Sequence, residues 1–285
     1  MMDTPLTLDF FFRRAESLFP HKELVTATAT GIERSTYGQW ADRARRLGGA
    51  LDDLGVDDYG RVGTFAWNTA RHLELYFAVP CTNRVLHTLN IRLFADQMVY
   101  IANHAEDEII FVDRSLMALL WPLVDQLETV RHLVVMDDGE GEIPDDPRVL
   151  DYEELISSAS PVKFEVKDER QAASMCYTSG TTGNPKGVVY SHRSTYMHTI
   201  TTMTADGLGV CESDVILPVV PMFHVNSWGL QHAAVAAGAT LVNPGPKLQP
   251  EPIAELMESE KVTIAAGVPT IWMGVLEELD GRDVS

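Results

Sequence analysis

Three cysteines in 285 residues, at positions 81, 176 and 211, are too few and too scattered for a disulfide framework or a set of zinc ligands. Long hydrophobic runs are missing as well, since no apolar stretch approaches the roughly 18 residues of a membrane span. Positive charge is scarce: 22 Lys and Arg stand against 41 Asp and Glu, a formal net charge of −19. A surface so acidic repels nucleic acid and anionic lipid, so neither is an expected partner. The first residues carry Asp3 and Asp9 where a secretory signal would carry positive charge. Together these absences predict a cytoplasmic, reducing setting and no transmembrane segment.

What is present is an alternation. The runs at 61–67, 108–113 and 132–137 are short, apolar and rich in β-branched residues, which predicts buried strands. Between them lie amphipathic segments. Tyr37, Ala41, Ala44, Leu47, Leu51 and Leu54 recur at helical steps behind Ser35, a candidate N-cap, and Met98, Ile101 and Ala105 repeat the pattern. After residue 170 the alternation resumes with strands expected at 174–178, 214–220, 239–244 and 263–269. Strands and helices in this order predict an α/β fold with mainly parallel sheets flanked by helices. The intervening stretch 137–154 holds nine Asp and Glu against Arg148, with two prolines and two glycines, and is expected to be a solvated loop. A subdomain limit is placed beside it, giving an N-terminal α/β subdomain over 1–165 and a second over 166–285.

One stretch has more hydroxyl and more bare backbone than a turn requires: YTSGTTGNPKG, residues 177–187. Gly180, Gly183 and Gly187 permit positive φ and a close approach of backbone to ligand. Unpaired N–H groups in such a loop form a concavity for anions. Ser179, Thr181 and Thr182 add neutral donors, Thr178 offers an oxygen to a cation, and Lys186 brings one mobile positive charge. The composition suits a polyphosphate with its metal. It is not the common P-loop, because Pro185 stands where the second glycine of that motif is needed. No dinucleotide G-x-G-x-x-G fingerprint is present either. A second constellation, PMFHVNSWGLQHAAVAA at 221–237, places His224, Trp228 and His232 on one face if a helix begins near His224. Two histidines eight residues apart on a helix are separated by about 12 Å, so they cannot chelate one metal. On residue chemistry alone His224 reads as a partly buried histidine ending a strand, and Trp228 as a core residue.

The run YTSGTTGNPKGVVYSH at 177–192 resembles the phosphate-loop signature of the adenylate-forming superfamily, which includes acyl-CoA synthetases, aryl-CoA ligases and adenylation domains. YFAVP (76–80), VLHTLNIRL (85–93), YIANHAED (100–107), PMFHVNSW (221–228) and AGVPTIW (266–272) resemble its fatty-acyl-CoA ligase branch. The resemblance implies the N-terminal domain of an adenylate-forming enzyme, truncated in its second subdomain and without the small C-terminal catalytic domain. It implies ATP-dependent activation of a fatty acid to acyl-AMP, then thioester formation with coenzyme A, with Mg2+ as the metal and a homodimer as the default assembly. Thr178, Ser179, Gly180, Thr181, Thr182, Gly183 and Lys186 would bind the nucleotide, with Thr178 also at the metal. Lys186 and His224 would be catalytic. Phe223, His224, Val225, Trp228, Gly267, Val268, Pro269 and Thr270 would line the carboxylate site, with Trp228 gating the acyl tunnel and Gly267 letting backbone approach the ligand. Cys81, Thr82, Asn83 and Arg84 depart from the small, glycine-rich residues of the resembling enzymes, so a reshaped turn is expected there. An aryl- or other carboxylate-CoA ligase is the nearest alternative. A non-catalytic dimerising or nucleotide-binding remnant is the alternative of another class, since the 285 residues alone are expected to be inactive.

Overall fold

β-Branched runs form the strands of two sheets in a computed structural model that describes residues 3–178 and 184–280. The smaller sheet holds β1 (Glu23–Ala27), β2 (Ile32–Thr36), β10 (Val215–Pro218), β11 (Thr240–Asn243) and β12 (Ile264–Ala266), in the order β12-β10-β11-β1-β2. The larger holds β3 (Arg61–Phe65), β4 (Val85–Thr88), β5 (Asp107–Asp113), β6 (His132–Met136), β7 (Val149–Asp151), β8 (Ala172–Thr178) and β9 (Lys186–Ser191), in the order β7-β6-β5-β3-β4-β8-β9. All pairings are parallel except β1 with β2 and β8 with β9. This agrees with the expected α/β class. Sheet membership does not follow the division drawn at 165/166, because β1 and β2 join β10–β12 while β8 and β9 join β3–β7.

The helices are α1 (Leu8–Leu18), α2 (Tyr37–Asp53), α3 (Ala70–Cys81), α4 (Ala95–Ala105), α5 (Met117–Leu120), α6 (Tyr152–Ser158), α7 (His192–Met203), α8 (Leu230–Ala237), α9 (Pro250–Ser259) and α10 (Pro269–Leu279). None of the described helices is long and apolar enough to cross a membrane. The cap of α2 is Thr36 rather than Ser35: its hydroxyl accepts from the Gln39 amide while the Gln39 side chain accepts from the Thr36 amide, a reciprocal pair that satisfies two otherwise orphan donors. α3 is buried from His72 to Cys81 and touches β4 and β8 of one sheet and β1 of the other. A helix covered on all sides has no polar face to spare, and the sequence of α3 has none: LELYFAVPC follows His72.

The acidic stretch is only partly loop. Val149–Asp151 pairs with β6, and Tyr152 opens α6 fully buried. Tyr152 donates its hydroxyl to the buried Glu74, and Arg43 bonds both Glu74 and Glu153 at 2.7 Å. Arg71 takes a second hydrogen bond of 3.0 Å to Glu153. Acids whose guanidinium partners come from distant elements lose the repulsion that composition alone implies.

The Cys81–Arg84 departure resolves without strain at a glycine. Asn83 takes the left-handed conformation itself, with φ 62°, a region asparagine tolerates better than most residues. Arg84 is buried, with Nε and Nη2 donating to the Val56 carbonyl at 2.8 and 2.6 Å and Nη2 also to Asp52 at 2.7 Å. We therefore expect Asn83→Gly to leave the urea midpoint nearly unchanged, and Arg84→Ala to cost about 2 kcal/mol by leaving the buried Val56 carbonyl without its guanidinium donors. An Arg84→Ala protein as stable as the parent would contradict this account of the turn.

Candidate functional site

The hydroxyl-rich stretch begins and ends in paired strands. β8 and β9 run antiparallel with Tyr177 opposite Gly187 and Thr178 opposite Lys186, so the two exposed side chains stand at the mouth of this hairpin. Ser179, Gly180, Thr181, Thr182 and Gly183 lie outside the described residues. Gly187 does not take the positive φ expected of it. Its missing side chain matters for another reason: a Cβ there would sit 3.3 Å from the Tyr177 ring, which lies over the opposite strand.

The condition of a helix beginning near His224 is not met. Val225, Asn226, Ser227, Trp228 and Gly229 instead make a left-handed turn, with φ of 46, 48, 53, 53 and 74°, and α8 begins only at Leu230. His224, Trp228 and His232 therefore do not share a helical face. Non-glycine residues pay about 1–2 kcal/mol each for this handedness, so the turn needs anchors. The Asn226 side chain donates to Ser174 of β8 at 2.8 Å and accepts from Thr88 of β4 at 3.4 Å. Ser227 donates to the Val220 carbonyl at 2.9 Å, and the His198 ring meets the Trp228 carbonyl at 3.0 Å. A Cβ on Gly229 would stand 2.5 Å from the His198 ring, so the glycine supplies both the positive φ and the space. Upstream, the buried Asn68 amide donates to Pro218 and Val220 at 2.8 and 2.9 Å and accepts from Met222 at 2.7 Å, fixing the chain that delivers Phe223 and His224.

Two cavities open along this part of the chain: Phe223 and His224, just before the turn, line one, and Val225, Asn226, Trp228 and Gly229 of the turn line the other. The first, of about 300 Å³, is lined by Asn90, Arg92, Phe223, His224, Val268 and Ile271 among others. The second, of about 410 Å³, is lined by Tyr190, His198, Val225, Trp228 and His232 among others. Both fall within the roughly 300–1,000 Å³ of small-molecule pockets. The expected carboxylate-site residues are thus divided, with Phe223, His224 and Val268 in one lining and Val225 and Trp228 in the other. The Val225 amide faces the Cys176 thiol of β8, so the turn begins against that strand. Gly267 lies outside both linings: a Cβ there would meet Trp272 at 3.1 Å, and the Trp272 indole donates to its carbonyl at 3.0 Å. The chain's own tryptophan takes the approach that was expected for a ligand. Pro269 and Thr270 are exposed at the start of α10 and line neither cavity.

Sequence reasoning assigned no role to Asn226, Tyr190, His198, His232, Asn90 and Arg92. Asn90 and Arg92 lie inside VLHTLNIRL, Tyr190 inside the run 177–192, and Asn226 and His232 inside 221–237, but only the fold brings them to the cavities, with the Arg92 guanidinium 5.9 Å from the Phe223 ring centroid; His198 lies in none of these runs. Three histidines are held neutral. Burial pushes His72 and His192 down to about 4, and burial with the charges of His198 and His192 pushes His232 down to about 3. Among the described residues no three His, Cys, Asp or Glu side chains gather into a metal site. A magnesium ion commonly uses one or two carboxylates and substrate phosphates, and this hairpin mouth offers the Thr178 hydroxyl.

The model of the AMP-binding enzyme family matches residues 12–284. A 3-methylmercaptopropionyl-CoA ligase of Ruegeria lacuscaerulensis is 44% identical over 279 residues, covering 97% of this chain and 52% of its own length. A long-chain-fatty-acid–CoA ligase of Thermus thermophilus is 47% identical over 282 residues, covering 98% of this chain and 51% of its own. The chain thus spans about half the length of these relatives. Its fold matches the crystal structure of an anthranilate CoA ligase in complex with anthranoyl-AMP with a TM-score of 0.87 at 22% identity, over 99% of this chain and 54% of the other.

The neutral histidines make stability fall with acid. Their folded pKa values lie below the roughly 6.5 of an unfolded histidine, so between about pH 6.5 and pH 4 the unfolded chain binds more protons. Stability is full above that window and declines on acidification, by up to about 1.4 kcal/mol per pH unit per histidine. Urea midpoints measured across this window should fall, and His232→Phe should reduce the slope. A slope identical in the variant would contradict the assignment of His232 as a buried neutral group.

Proposed function

The chain belongs to the AMP-binding enzyme family, and from that premise we propose that it is the part of an ATP-dependent acyl-CoA ligase that holds the triphosphate and the acyl group. One observation carries the reading: Thr178 and Lys186 face each other at the mouth of a hairpin, and Tyr190 of the same hairpin walls the 410 Å³ cavity with Trp228. Phosphate grip and acyl cavity are built on one pair of strands.

In this reading the segment from Thr178 to Gly183 and Lys186 cradle the outer phosphates of ATP. Lys186 places a cation on charge that grows as pyrophosphate leaves. Mg2+, when bound beside Thr178, neutralises phosphate oxygens. The carboxylate oxygen attacks the α-phosphorus, the bond to pyrophosphate breaks, and the thiol sulfur of coenzyme A then displaces AMP from the acyl carbon. Such steps depend on positioning and charge stabilisation more than on covalent participation of the protein. His224, with Phe223 and Val268, orients the carboxylate from its own cavity, and Trp228 with Val225 bounds the acyl chain on the other side. Gly267, Pro269 and Thr270, which line neither cavity, take no part in this reading. A fatty acid fits the apolar rings and methyl groups about Trp228; an aryl carboxylate is the second reading, favoured by the stacking faces of Tyr190 and Trp228. We place the enzyme in the cytoplasm as a homodimer.

Lys186 is exposed, so Lys186→Ala should leave the melting temperature unchanged. In the full-length protein it should slow ATP–pyrophosphate exchange roughly 100-fold, the loss of about 3 kcal/mol expected for one preorganised donor to a developing anion. A panel of alkyl and aryl acids in the same assay separates the two substrate readings. Exchange at the parental rate would remove Lys186 from the chemistry, and failure of every acid in the panel to support exchange would favour a non-catalytic nucleotide-binding module.

A further inference from the structure

His87 and Asp107 lie fully buried in the larger sheet, each with no exposed side-chain surface. They belong to β4 and β5, which do not touch; β3 runs between them. His87 stands in register with Gly63 of β3, and a Cβ on Gly63 would lie 3.3 Å from the Asp107 carboxylate and 2.9 Å from Ile110. The bare strand lets the histidine reach across, and its Nδ1 lies 2.8 Å from both carboxylate oxygens. Nε2 of His87 has no hydrogen-bond partner among the described residues. Neither side chain lines the two cavities of the site.

A buried histidine–carboxylate pair is costly to desolvate and is weak evidence for stability. What it faces gives it a use. The ring of Tyr177 lies 5.2 Å from the His87 ring, tilted by 48°. The Tyr177 hydroxyl is held 2.6 Å from Nδ1 of His104, a ring that itself stacks on Tyr100 at 5.3 Å. Beneath lies Gly187, where a Cβ would press on the Tyr177 ring at 3.3 Å. Tyr177 is thus boxed by His87, His104 and the opposite strand, and it is the residue immediately before Thr178.

We propose that His87 and Asp107 are a positioning pair for the phosphate hairpin: they set the ring of Tyr177, and through it the spacing of Thr178 and Lys186 at the mouth. The proposal rests on the reading of that mouth as a triphosphate site. His87 touches no substrate in it, and the pair acts only through Tyr177.

The test uses the full-length protein and two readouts, the Kd for a fluorescent ATP analogue with Mg2+ and the KM values in pyrophosphate exchange. Replacing both partners, His87→Leu with Asp107→Val, avoids an unpaired buried carboxylate. His87→Gln keeps a donor for Asp107 and removes the ring. Both should raise the Kd and the KM for ATP about tenfold, the scale expected for a small misplacement of a binding group, and leave the KM for the carboxylate unchanged. In a Tyr177→Ala background the same replacements should add less than about twofold, because contacting residues in one chain of action are not additive. A full, additive effect in that background would overturn the proposal, as would an unchanged Kd in folded variants. If the Kd responds as stated while no carboxylate supports exchange, the pair keeps its role and the ligase reading fails.

Discussion

One buried amide, that of Asn226, ties a left-handed turn to two neighbouring strands of the larger sheet, and the candidate site depends on that tie. Four consecutive non-glycine residues in the left-handed region persist only where their surroundings over-determine them. Here the surroundings are Ser174 and Thr88 on β8 and β4, the Val220 carbonyl and the His198 ring. His224, before the turn, lines one cavity and Trp228, within the turn, lines another. A regular helix over the same residues would stack them four residues apart along one face. The left-handed turn instead leaves the two side chains in the linings of different cavities.

The same strands serve both halves of the account. β8 receives Asn226 at Ser174 and ends at Thr178, while β9 begins at Lys186 and presents Tyr190 to the cavity beside Trp228. Any shift of the hairpin therefore moves the proposed phosphate grip and the proposed acyl wall together. The hairpin is antiparallel and sits at the end of an otherwise parallel sheet, which lets a short loop join its strands where a parallel pair would need a long crossover. Interlocking of the two sheets adds rigidity: Asn68, following β3, holds the chain leaving β10 by three hydrogen bonds.

Most strands were legible because buried parallel strands write themselves as short β-branched runs, as at Ile109–Val112 and Leu133–Met136. β4 was not, since Val85–Thr88 is four residues long and half polar, and His87 is buried only because Asp107 meets it over Gly63. The left-handed turn was misread because His224, Trp228 and His232 fall at helical spacing, and spacing carries no handedness. The acidic stretch was read as solvated throughout because a sum of charges does not show that Arg43 and Arg71 arrive from α2 and α3 to meet Glu153. For the site, Lys186, Thr178, His224 and Trp228 were legible as a motif. Asn226 was not, for an asparagine announces nothing until two hydroxyls converge on its amide.

The central claim is that the mouth of one hairpin holds the nucleotide phosphates while the acyl group passes beside the left-handed turn. A crystal structure of the full-length protein with a carboxylate substrate and an ATP analogue bridged by methylene between its α- and β-phosphates tests it directly. The account predicts the outer phosphates against Thr178 and Lys186, the carboxylate reached by His224, and the acyl chain in the cavity bounded by Tyr190 and Trp228. A triphosphate bound away from that hairpin, or an acyl chain that leaves the Trp228 cavity empty, would contradict it.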